Sequence, residues 1–180
     1  MNADFKTAFI HGCRQIFAAL FFAAVLGGCS SAYQVVPDTR DASKTIAVGK
    51  LSWPEWKQVA AWPSYSGEGY TPDTLLARRV AMLAEPESVS FVLIGGTWCG
   101  DSKSEMPKVF KLFDAANIPL TRVSMYATDR KKVEPSGTAT RYAIEKVPTL
   151  IVLKYGKESG RIVEHPKESW EKDLALLLEK

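Results

Sequence analysis

Cysteine and histidine are scarce in this chain, with three of the first and two of the second in 180 residues. That scarcity excludes a disulfide framework and leaves too few donors for a multi-ligand zinc site. No charge of one sign dominates. Lys and Arg total 23 against 20 Asp and Glu, so there is no basic field to bind nucleic acid. A long apolar run is missing too: the uncharged stretch from Ile16 to Leu26 falls short of the roughly 20 residues a membrane-spanning helix needs. The length suits one domain with a sizeable core. Whatever chemistry the chain performs must rest on very few residues.

Residues 1–28 read as a targeting segment to be set apart from the fold. Lys6 and Arg14 precede the apolar run, and Leu26-Gly27-Gly28-Cys29 closes it with small residues and a cysteine. This tetrapeptide resembles the bacterial lipobox, whose cysteine is diacylated and becomes the new N-terminus. The resemblance implies loss of Cys13 and His11 and lipidation of Cys29. Ser30 and Ser31 stand where an aspartate would favour inner-membrane retention, so an outer-membrane anchor facing the periplasm is expected. Cys99 is then the one free thiol in an oxidising compartment, and no internal disulfide can form.

Residues 29–50 are polar without sustained periodicity and read as a tether. Residues 51–70 carry Trp53, Trp56 and Trp62 among prolines, glycines and serines, and read as an N-terminal extension with a helical turn over 54–61. Either a binding surface or packing on the core accounts for these tryptophans; packing is the expected use.

From residue 71 onward helix and strand alternate. Thr71-Pro72-Asp73 supplies helix-start signals, Leu76, Val80 and Leu83 follow with helical spacing, and Pro86 stops the run. Ser88–Ile94 has the apolar, β-branched character of a buried strand, and Met106, Val109, Phe110 and Phe113 stripe a helix over 101–116. A strand is predicted over 120–126, a weaker helix over 138–144 and a strong strand over 149–153. A turn at 155–158, a strand over 160–164 and a helix from Pro166 with Trp170, Leu174 and Leu177 on one face complete the order. The pattern predicts an α/β fold in which a central mixed β-sheet is flanked by helices.

Trp98-Cys99-Gly100-Asp101-Ser102 lies at a strand-to-helix junction, Pro107 follows eight residues after Cys99, and Val147-Pro148-Thr149 precedes the strong strand. In that order the three motifs resemble the thioredoxin family, with its Trp-Cys-x-x-Cys site, active-site-helix proline and cis-proline. The likeness covers residues 71–180 and implies a thioredoxin-like fold with a cis Pro148, before which Val147 pairs with an extended substrate. The departures matter as much. Ser102 replaces the resolving cysteine, and Leu93 stands where many relatives hold a buried aspartate. An autonomous dithiol cycle is therefore excluded, while a monothiol cycle is permitted.

Position alone gives Cys99 its chemistry. Just ahead of a helix, its sulfur meets the positive dipole end and unpaired N–H groups, which favour thiolate. Ser102, one turn on, is placed to donate a further hydrogen bond, and Asp101 opposes the thiolate through like charge. Trp98 flanks the nucleophile. Arg130, Lys131 and Lys132 follow the second strand and either add positive potential near the thiolate or form a solvated charged loop, the loop being the expected use; His165, beside Pro166, reads as a capping or packing residue in preference to a base. Cys99 and His165 together are two ligands short of a tetrahedral metal site, and no cofactor is expected.

Two functions fit these residues. One is a monomeric, membrane-anchored periplasmic protein that carries out thiol–disulfide exchange through Cys99, forming mixed disulfides with proteins or low-molecular-weight thiols. The alternative is a non-catalytic, chaperone-like binding module that uses the cis-proline groove, with Cys99 incidental.

Overall fold

The structure is a computed structural model that describes residues 32–60, 67 and 69–180. The targeting segment, Cys29 and Trp62 lie outside the described residues. Six strands form one sheet: β1 Tyr33–Asp38, β2 Asp41–Lys50, β3 Val89–Gly95, β4 Val123–Ala127, β5 Thr149–Lys154 and β6 Lys157–Val163. Their order is β1-β2-β4-β3-β5-β6. Only β3 and β4 run parallel; the other neighbours are antiparallel. Helices α1 Trp53–Ala60, α2 Thr74–Ala84, α3 Gly100–Ala115, α4 Thr138–Arg141 and α5 Trp170–Glu179 complete the order. This mixed sheet flanked by helices is compatible with a thioredoxin-like fold.

The apolar run of β3 has a simple cause. Successive side chains point to opposite faces of a sheet, and here both faces are covered. Phe91 and Leu93 enter one core with Trp56, Met106, Phe113, Leu150 and Leu174, whereas Val92 and Ile94 enter a second with Ile144, Val147 and Ile151. A central strand covered twice leaves little room for polar side chains, and the one in β3, Ser90, stands near its start where burial is incomplete.

The expected tether is corrected: from Tyr33 onward it is the β1–β2 hairpin, joined to β4 through Gly49 opposite Ala127 and Lys50 opposite Tyr126. Most of its side chains are exposed, and only Ile46, Ala47 and Val48 of β2 enter the core. An outer hairpin gains its order from backbone pairing, so its polar composition concealed it. The sheet therefore begins well before residue 71. The predicted helical turn over 54–61 corresponds to α1. Trp56 is fully buried, and Trp53 stacks on Phe110 at 4.0 Å between ring centroids.

Several boundaries shift for local reasons. The N-cap of α2 is Asp73, whose carboxylate accepts from Leu75 and Leu76 N–H at 2.9 Å, so Pro72 lies outside the helix. Residues 120–122 form a 3-10 turn ahead of β4. The β5–β6 hairpin closes through Tyr155 and Gly156, both at positive φ, the requirement of a two-residue type I′ turn, so β6 starts earlier than expected. The last helix starts at Trp170 because Ser169 caps it and Asp173 binds the preceding Lys167 and Glu168 N–H groups.

Candidate functional site

Strand β3 ends at Gly95, and four residues later Cys99 takes the N-cap position of α3 with an extended backbone (φ −95°, ψ 128°). Its N–H donates to Gly96 O at 2.9 Å, and its carbonyl accepts from Lys103 N–H at 3.1 Å. The side chain does not cap the helix. The half-buried thiol instead donates to Val147 O at 3.2 Å. The Val147–Pro148 peptide is cis. Cys99, Val147 and Pro148 thus meet at one place, from two separate segments of chain.

Trp98 forms a wall beside this place. Its indole N–H donates to Thr128 O at 2.8 Å, and its ring lies so close to the backbone that a Cβ on Gly96 would stand 2.7 Å from it. Arg130 Cζ is 4.9 Å and Lys132 Nζ 5.8 Å from the ring centroid, within cation–π range. These two residues therefore belong to the site and not to a detached solvated loop. Asp38, at the end of β1, binds the Arg130 guanidinium with two bonds of 2.6 Å. The Asp38 hydrogen bonds, helped by its charge, raise the Arg130 pKa against the opposing effect of burial.

Ser102 departs from expectation. It is fully buried, and its Oγ accepts from Gly96 N–H at 3.1 Å; among the described residues it makes no hydrogen bond to the Cys99 sulfur. The helix buries that face against the strand-to-helix junction, so the hydroxyl serves the backbone there. Leu93 is fully buried in β3. Asp101 is half exposed, and its Oδ1 stands 3.6 Å from His165 Nε2. The other imidazole nitrogen is 3.6 Å from Glu105 Oε1.

Glu105, Asp38 and the place of His165 were missed from the sequence. Burial pushes the Glu105 carboxyl up, but hydrogen bonds from Lys108 at 2.6 Å and Trp170 Nε1 at 3.0 Å outweigh it and hold the group below the ordinary range. A glutamate on the apolar stripe of a helix was the available signal. Among the described residues no group of three His, Cys, Asp or Glu side chains is placed to hold a metal, and no helix is long and apolar enough to cross a membrane. A cavity of about 310 Å³ lined by Leu51, Trp53, Phe110, Val123 and Met125 excludes Cys99.

No family model and no curated protein matches the chain. Solved structures that it resembles include a protein of unknown function from Pseudomonas aeruginosa at 16% identity, covering 72% of this chain and 98% of that one, with a TM-score of 0.38. Thioredoxin O2 from Arabidopsis thaliana in its oxidized state is 22% identical over 47% of this chain and 70% of its own, with a TM-score of 0.33. An HIV epitope scaffold is 16% identical over 72% of this chain and 98% of its own, with a TM-score of 0.37. Likenesses this loose carry no argument about individual residues.

Proposed function

We propose that this is a lipid-anchored, thioredoxin-like protein of the periplasm that exchanges thiols and disulfides as a monothiol through Cys99. One observation carries the reading: a half-buried thiol at the N-cap of a 16-residue helix lies against the backbone of a cis-proline segment. The helix end favours a thiolate, and the thiolate is the attacking form. Attack on R–S–S–R′ forms a Cys99–S–S–R bond and releases R′S⁻. Because Ser102 has no thiol, a second, external thiol must release R and return Cys99.

The test is adduct formation. A small symmetrical disulfide should modify Cys99 one to one, and acid-quenched periplasmic extracts should hold reducible adducts of the wild type but not of Cys99→Ser. A second reading, a binding groove with an inert cysteine, draws support from the thiol's hydrogen bond to Val147 O, which engages the sulfur within the fold. Absence of both adducts would favour it. Anchoring at Cys29 rests on the lipobox-like residues alone; mass spectrometry of the mature N-terminus should find an acylated Cys29, and Cys29→Ala should block processing.

A further inference from the structure

We infer that His165 is the proton acceptor for the external thiol that resolves the Cys99 mixed disulfide, with Asp101 holding its imidazole in place. The inference rests on the monothiol reading of Cys99 and asks how that cycle closes without a second cysteine.

The backbone brings His165 to the site by a closed ring of contacts. The Cys99 thiol donates to Val147 O. Across the cis bond, Pro148 O accepts from Glu164 N–H at 2.7 Å. Glu164 takes a positive φ of 59°, and His165 N–H turns back to Val163 O at 2.7 Å. The imidazole then reaches Asp101, two residues past Cys99 and in the first turn of α3. The segment that precedes α5 is thus tied both to the cis-proline segment and to the helix that Cys99 caps.

The two carboxylates beside the ring differ. Glu105 is buried and already accepts from Lys108, Ser104 and Trp170. Asp101 is half exposed, and among the described residues its carboxylate has no hydrogen bond and no other ion-pair partner. The remaining charged groups about the imidazole are Lys108, bound to Glu105, and the Glu164–Lys146 pair at 2.7 Å. With 54% of its side chain exposed, His165 is open to an incoming thiol. A carboxylate next to an imidazole stabilises the imidazolium that proton uptake creates.

The step balances. The thiol R″S–H gives its proton to the imidazole while its sulfur attacks the R sulfur of Cys99–S–S–R. The R″S–SR bond forms, the old S–S bond breaks, and its electron pair leaves on the Cys99 sulfur. R″S–H is oxidised and Cys99 reduced, and the imidazolium returns its proton to solvent. The help matters near neutral pH, where an aliphatic thiol with a pKa of about 8.5 is mostly protonated and unreactive.

The experiment resolves the mixed disulfide of Cys99 and 2-mercaptoethanol with dithiothreitol, following free protein thiol by mass spectrometry after acid quench. His165→Gln should slow resolution by about tenfold or more near pH 7, a conservative figure for a lost general base. The gap should close above the thiol's own ionisation, and added imidazole should restore part of the rate at neutral pH. Asp101→Asn should show a smaller loss with the same pH pattern. Equal rates, or a loss of the same size at both pH values that imidazole does not repair, would overturn the assignment. Failure of the mixed disulfide to form would overturn the monothiol reading and this inference with it.

Discussion

Asp38 holds Arg130 with two charge-assisted hydrogen bonds of 2.6 Å, Nε to Oδ1 and Nη2 to Oδ2, across 92 positions of sequence. The contact ties the end of β1 to the guanidinium that stands over the Trp98 ring. The outer hairpin is thereby part of the wall beside Cys99.

This pair makes acid stability depend on Asp38. The Arg130 hydrogen bonds, with a further one from Arg40 N–H, lower its pKa to about 2. A carboxyl depressed in the folded state stabilises it above the unfolded value of about 3.9, and that contribution is lost as pH falls toward 2. Asp38→Asn should be less stable than wild type at neutral pH, and the difference should shrink through that window and vanish at its acid end. Urea unfolding midpoints gathered across the range check this; a constant difference down to the lowest pH would assign the loss to packing.

A second buried contact joins two helices. Trp170 of α5 donates its indole N–H to Glu105 of α3 at 3.0 Å, with both residues buried. Trp170→Phe keeps an aromatic ring there but removes the donor from a charged acceptor, a loss of about 1.5–3 kcal/mol. At about 2–4 °C per kcal/mol the change is readable by thermal unfolding. Glu105 is held below its ordinary value, so the effect should weaken as pH falls below the usual carboxylate range. In a Glu105→Gln background the same substitution should cost less. Equal losses in the two backgrounds would place the effect in ring packing.

How much of this was legible in the sequence follows from what each signal measures. Apolar periodicity reports burial, and it located β3, α3 and β5, which lie at the centre. The β1–β2 hairpin gave no such signal because Ser43, Lys44 and Thr45 of β2 all face solvent. The helix-cap position of Cys99 was legible from the local sequence, whereas its meeting with Val147 and Pro148 was implied by the resemblance to a family alone. The partners that surround them did not: Asp38 reaches Arg130, His165 reaches Asp101 and Trp170 reaches Glu105 only through the tertiary fold. Ser102 was read as a partner of the sulfur because spacing alone does not reveal that Gly96 N–H, six residues earlier, needs an acceptor.

Ser102 also tests whether the site has kept the geometry of a dithiol enzyme. Its position three residues past the Cys99 cap puts it one helical turn away, near enough for a sulfur there to attack a mixed disulfide on Cys99. Ser102→Cys should therefore turn over insulin with dithiothreitol clearly above background, where wild type and Ser102→Ala should not. The gain should come with a loss of stability. The serine Oγ is the acceptor for the Gly96 N–H beneath the Trp98 ring, and sulfur accepts weakly. Ser102→Cys and Ser102→Ala should thus each lose about 1–3 kcal/mol by urea unfolding, the usual result of leaving a buried donor unmet. Stability and turnover together make the outcome decisive. A variant that folds with this loss, yet forms no internal disulfide on mild oxidation and leaves insulin untouched, would show that the buried hydroxyl points away from the sulfur for good. In that case the position serves the backbone alone, and the fold could not be returned to dithiol chemistry by one substitution.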